Sequence, residues 1–207
     1  KLGDDLCGEV WFNELRLSGI DSKGGWAAVG AMDANFADFA TVAATARMST
    51  IGFGSIDQTP NQSNREHMKQ YDVVTNINLG QLLPKKWGLQ IPLNLNVGET
   101  FITPEYDPFY QDILLQDRLD ASDRSSQRDS INNQAIDYTQ RKSISLIGVR
   151  KNKTGDKPTR FYSLENFDFS YAFNELYHHD YEIENQTDQN LQLGANYGHS
   201  FKPLEIN

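Results

Sequence analysis

Five aspartates stand close together in the middle of the chain: Asp107, Asp112, Asp117, Asp120 and Asp123, within "EYDPFYQDILLQDRLDASD". Paired carboxylates can share the acid and base roles of hydrolysis when apolar surroundings raise the pKa of one of them. These five lie among Gln, Ser, Arg and further carboxylates, so a solvated loop is the stronger reading. His178-His179 is a second candidate, as a metal pair. Adjacent residues of a strand face opposite sides, which is wrong for a shared ion. His67 and His199 are scattered. Cys7 is the single cysteine, so neither an internal disulfide nor a zinc set of Cys and His can form. No nucleophile elbow, phosphate-binding loop or dinucleotide fingerprint occurs. The expectation is therefore not an enzyme: no catalytic residue, no metal, no cofactor.

The chemistry that remains is solvent preference along strands. In "KKWGLQIPLNLNVGETF", residues 85 to 101, Trp87, Leu89, Ile91, Leu93, Leu95 and Val97 alternate with Gly88, Gln90, Pro92, Asn94, Asn96 and Gly98. Period-two alternation is a strand with one apolar face. "YDVVTNINLG", residues 71 to 80, repeats it: Tyr71, Val73, Thr75, Ile77 and Leu79 oppose Asp72, Val74, Asn76, Asn78 and Gly80. The short "QLLPKK" between them predicts a hairpin. "RKSISLIGVRK" (141 to 151) is another strand. Further on, Phe167, Phe169, Tyr171 and Phe173 oppose Asp168, Ser170, Ala172 and Asn174. Leu191, Leu193, Ala195, Tyr197 and Phe201 then oppose Asn190, Gln192, Gly194, Asn196, Gly198 and Ser200. Residues 36 to 52 are ambiguous. Their alanines favour helix, while Thr41, Val42, Thr45, Thr50 and Ile51 favour strand, and strand is expected from about 39. Residues 8 to 18 form one more candidate, followed by a turn-rich break. A short helix is expected at "DILLQDRL". The fold class is all-β, with about six wall strands after residue 36.

The connections alternate. Those near 81–86 and 151–163 are short, while those at 53–70, 103–141 and 177–189 are long or polar. Short turns at one end and long loops at the other are the habit of a membrane β-barrel. The faces opposite the apolar ones carry Asn, Gln, Ser and Gly more than Lys and Glu. A soluble sheet meets bulk water with charge; a wall beside a wet lumen can be small, polar and weakly charged. Trp87 to Val97 spans eleven residues, roughly 36 Å of strand. Tilted by about 45° it climbs roughly 26 Å, near the ~25 Å apolar band of such barrels. Trp87 and Tyr71 mark the two interfacial ends. On this reading Val73, Ile77, Leu79, Trp87, Leu89, Ile91, Leu93, Leu95, Val97, Phe167, Phe169, Tyr171, Phe173, Leu191, Leu193 and Tyr197 face lipid. Asn76, Asn78, Gln90, Asn94, Asn96, Ser170, Asn174, Gln192 and Asn196 face the lumen. The alternative is a secreted carbohydrate-binding or adhesin β-sandwich, whose apolar faces would meet a second sheet.

The chain has 207 residues and a formal charge of −9. That balance opposes nucleic-acid binding, which needs clustered Lys and Arg. Hydrophobic content is 38% and aromatic content 11%, too aromatic for a disordered chain. No apolar run reaches the length of a transmembrane helix. The opening "KLGDDLCGEV" lacks a leader pattern, and strand-like runs lie near both ends, so a piece of a longer protein is expected.

Several strings are distinctive: "WFNELRLSG" then "GWAA", "ADFA", "GFGSIDQ", "QYDVVTNINLGQLLPKKWGLQIPLNLN" and "TPEYDP". From about Val10 to about Phe201 the chain resembles the SprA (Sov) family, most specifically at "LPKKWG" and "GFGSI". These are very large outer-membrane proteins of the Bacteroidetes type 9 secretion system, tied to gliding motility. The resemblance implies a segment of a single-chain giant barrel in the cell outer membrane, acting as a protein-conducting translocon. It implies that residues 1–20 end a periplasmic jelly-roll-like (β-sandwich-like) insertion. Residues 36–207 would be consecutive antiparallel wall strands, with 103–141 a long extracellular loop. The implied partners are secreted cargo proteins, plug or gating subunits and outer-membrane lipid. This chain is shorter than a full member.

Overall fold

The computed structural model describes residues 24–54, 64–155 and 160–200. The strand expected at 8–18, the unit expected at 1–20, Cys7 and Phe201 lie outside the described residues.

The described residues form one open antiparallel sheet: β1 (Ala27–Phe36), β2 (Ala40–Ser49), β3 (Glu66–Asn78), β4 (Leu89–Gln90), β5 (Pro92–Pro104), β6 (Asp137–Lys151), β7 (Phe167–His179) and β8 (Gln186–Tyr197). Spatial order follows chain order, β1-β2-β3-β5-β6-β7-β8, with the short β4 paired to β6. Every pairing is antiparallel. The all-β class and the β3–β5 hairpin are as the alternation indicates. The sheet begins earlier than residue 36, because Ala27–Phe36 already pairs with β2 along its length. The alanines of β2 adopt strand, since ladders on both sides override a weak helical propensity. The turn between β1 and β2 is only residues 37–39, closed by Phe39 N–H donating to Phe36 O at 3.1 Å. So tight a reversal holds Ala37 at φ 50°, a conformation that costs an L-residue about 1–2 kcal/mol.

Three residues expected on apolar strand faces, Leu79, Trp87 and Ile91, are corrected. Leu79 lies in a 3-10 turn, Leu79–Leu82, and Trp87 in another, Lys85–Trp87. Ile91 falls between β4 and β5, where its carbonyl accepts from Leu79 N–H at 2.9 Å. Pro92 cannot donate to a ladder, so an uninterrupted strand from Trp87 to Val97 is not available. Polar residues at strand ends are also drawn into the sheet. Glu66–Gln70 open β3, and Gln186–Gln189 open β8.

Length does not sort the ends as expected: the connection read as short near 151–163 runs from residue 152 to 166, and the one read as long at 177–189 is only 180–185, because polar residues there join the strands. At one end the connections are the 37–39 turn, the 3-10 turns before β4 and the 152–166 segment. At the other lie residues 50–65, residues 105–136 and the brief 180–185 turn. The 105–136 segment is folded, with α1 (Leu115–Asp120) near the expected helix and α2 (Ser125–Ala135) unforeseen. Leu115, Ile131 and Ala135 make its small core, with Leu119 against it. The only other buried hydrophobic residue among those described is Ala40. The sheet itself has no covered core.

Candidate functional site: two faces and an outer cap

Residues opposite one another in an antiparallel pair share a face. The registers therefore sort the expected residues. Val73 lies opposite Val97 and Ile77 opposite Leu93. Leu95 lies opposite Ile144, Ile144 opposite Phe173, and Phe173 opposite Leu191. Tyr171 pairs Leu193 and Phe167 pairs Tyr197. All are on one face, joined by Ala44, Val42 and Ala40 of β2 and by Met32, Ala34 and Phe36 of β1. This apolar face is open: Leu193 is 74% exposed, Leu191 58%, Phe169 50% and Val97 39%. No second sheet covers it among the described residues.

The other face gathers the amides. Asn76 lies opposite Asn94, Asn78 opposite Pro92, and Asn96 opposite Ser143. Asn174 lies opposite Asn190, Ser170 opposite Gly194, Ala172 opposite Gln192 and Asp168 opposite Asn196. Cross-strand hydrogen bonds link them. Asn94 donates to Asn76 and Asn76 to Thr41; Asn196 Nδ2 donates to Asp168 Oδ1 at 2.8 Å. Gln90 joins this face through Arg150, whose Nε donates to its Oε1 at 3.0 Å. The buried Oδ1 of Asn96 has no protein donor. All nine residues expected at a lumen thus share one side of one sheet.

The apolar band is slanted. Towards the long-loop end its first charged or amide residue is Lys69 in β3, Glu99 in β5, Lys142 in β6, Glu175 in β7 and Gln189 in β8. Traced back through the registers, that boundary moves from the Met48 row at β3 to the Ala46 row at β5 and the Ala44 row at β6, and stays on that row through β7 and β8. The aromatic margin at the opposite end moves the same way. Phe36 sits on the row that reaches Tyr171, while the Phe167–Tyr197 pair lies four residues further down. Rings mark both margins. Phe167 and Tyr197 lie 5.0 Å apart at the short-turn end; Phe101 and Tyr138 lie 4.8 Å apart, and Tyr138 and Tyr177 5.9 Å, at the other.

β6 carries a bulge. The register with β7 shifts between Leu146 and Val149, and Gly148 takes φ 74°. The unpaired residue needs the left-handed region that glycine alone enters freely.

Above the sheet, the cap depends on Asp107. It is fully buried (0% exposed). Its Oδ1 accepts from Phe109 N–H at 2.8 Å and Tyr110 N–H at 3.1 Å, and Arg118 pairs with Oδ2. Burial alone would raise this carboxyl; the Arg118 guanidinium and the two backbone donors outweigh it and hold it below the usual range. The other four aspartates do not gather into a paired site. Asp120, for one, accepts from Gln116 at 2.9 Å. The sequence did carry a signal for Asp107: an aspartate followed by proline and two aromatics suits a side chain that caps its own turn.

The two histidines part as strand neighbours must. His178 Nδ1 lies 3.0 Å from Thr139 Oγ1, and its Nε2 lies 3.3 Å from Asp180. His179 lies among the Tyr138 and Tyr177 rings. Asp180 accepts from Ile183 and Glu182 N–H, which, despite some desolvation and with His178 helping, lower its carboxyl pKa. Among the described residues no three metal-ligating side chains converge.

No curated protein matches the chain. A family profile described as motility related/secretion protein matches residues 1–119, from the undescribed start through β1–β5 and into the cap. Since that match spans more than half of the sequence, the chain belongs to the SprA_N family of motility-related and secretion proteins.

Proposed function

We propose that this sheet is a stretch of the wall of an outer-membrane β-barrel through which proteins are secreted, its apolar face on lipid and its amide face on the channel. The observation that carries the proposal is the uncovered, slanted apolar band. Averaged over the steps from β3 to β8, the drift is about one residue per strand, ~3.3 Å along the chain for every ~4.8 Å across it. That corresponds to strands inclined at about 35° to the band, within the range of membrane barrels. A band that must stay level in a bilayer produces such a slant on tilted strands. The core of a sandwich imposes no such common level.

The functional work of the wall is passive. Neighbouring strands satisfy one another's N–H and C=O groups, as hydrocarbon requires. Amides and hydroxyls at Asn76, Asn94, Asn96 and Asn196 keep the channel side wet while offering few fixed charges for a cargo to stick to. Membership of a motility and secretion family supports the role. Its partners are then secreted cargo proteins, plug or gating subunits and the surrounding lipid, and the long-loop end lies outside the cell.

Single cysteines in the full-length protein test this, in a background with every native cysteine, Cys7 included, changed to serine. At Asn94, Asn96 and Asn196 they should react with a water-soluble maleimide. At Leu95, Leu191 and Leu193 they should react only with a probe dissolved in the membrane. Equal labelling of the two sets by the water-soluble reagent would rule out a lipid-facing wall.

A further inference from the structure

Between the cap and the β7–β8 turn lies a cleft of about 940 Å³, within the range of small-ligand sites. Its walls hold two half-exposed rings, Phe109 and Tyr181, set edge to face at 6.3 Å and 89°. Tyr110 stands beside them. Ser130, Asn133 and Gln134 of α2 line another side, exposed and able both to donate and to accept.

Two of the charged groups here, Arg118 and Asp180, are engaged within the protein. Arg118 is paired with Asp107 and lies over the Tyr110 ring at 5.0 Å. Asp180 is held by backbone N–H groups. Glu182 and Glu184 are both exposed, with Glu182 close enough to the Tyr181 phenol to raise its pKa. What the cleft offers is flat apolar ring surface beside neutral amide and hydroxyl groups. The ligand that matches is neutral, rich in hydroxyls and faced with C–H: a saccharide. The walls are also pre-formed, because buried Asp107 fixes Phe109 and Tyr110 by their own backbone N–H groups. A rigid site loses less entropy on binding.

We propose that this cleft is a saccharide-binding site, open to glycans outside the cell. That location rests on the long-loop end being external; the chemistry of the cleft does not. The test uses the full-length protein in lipid nanodiscs, where both ends are accessible. It is presented with immobilised oligomers of α-glucan, β-glucan, mannan and xylan and with surface polysaccharide of the producing cell. Saturable binding to at least one is expected, weakened about tenfold or more by Tyr181→Ala or Phe109→Ala, the scale of a lost stacking contact. Tyr181→Phe should keep most of it. No saturable binding to any of these glycans overturns the proposal, as does binding that ignores both alanine substitutions. Occupation by a decalysine peptide with that same sensitivity also overturns it, by assigning the cleft to a basic protein partner. Failure here leaves the cysteine-labelling outcome untouched, so the two readings stand or fall separately.

Discussion

Asp107 concentrates more structure than any other single residue of the cap. Because its carboxyl is held low in the folded protein, the sign of its pH effect follows. Its contribution is full above its unfolded value near 3.8 and is lost as pH falls through the lower folded value. Amides of residues 107–135 are expected to exchange faster with solvent as pH drops below about 4, while those of β3 and β5 stay protected. Asp107→Asn should loosen the same segment at neutral pH by about 2–3 kcal/mol, read by the same hydrogen exchange, since Arg118 loses its counter-charge. Among the five acids the sequence marks Asp107 only by the proline and two aromatics that follow it. Its complete burial and its pairing with Arg118 of α1 are set by how the segment folds, which that local pattern does not announce.

Strand alternation was readable wherever both faces kept their character over five or more residues, as in Tyr71–Asn78, Leu93–Val97 and Phe167–Asn174. It failed where small residues blur the two faces. Ala27–Phe36 pairs as regularly as any strand, yet its alanines and glycine give no clear period. Leu79 and Trp87 fit the alternation but sit in turns, because Pro84 before the Lys85–Trp87 turn and left-handed Gly88 after it interrupt the extended backbone. Gly88 holds φ 63°, and a Cβ there would meet Asn152 O at 2.4 Å. Gly88→Ala should therefore destabilise the β3–β5 connection by about 1–3 kcal/mol, measured as a lower urea midpoint of the refolded protein. The two faces should respond unequally to charge. Leu95→Arg, in the apolar band, is expected to cost about 2–4 kcal/mol of stability in a bilayer, whereas Asn94→Arg should cost about 1 or less.

At the scale of the whole sheet, an apolar face without a cover and two outer strands without neighbours, among the described residues, make a poor soluble object. Residues 24–200 produced alone should precipitate from detergent-free buffer and stay dispersed in detergent; a clear monomeric solution without detergent would contradict a membrane wall. The family was legible from strings such as "LPKKWG", which carry no chemistry of their own, and the profile over residues 1–119 bears this out. The extent of the sheet was less legible, since only pairing reveals which edges remain unfilled. The bulge at Gly148 has a mechanical consequence. If the wall borders a protein-conducting channel as proposed, sideways strain from a wide passenger must unzip a ladder, because each strand is laced to the next along its length. The β3–β5 seam is continuous, whereas the β6–β7 seam is already broken between Leu146 and Val149. Rupture begins most readily at such a notch, so this seam is where the sheet would first tear and, equally, where it can flex to let bulk through.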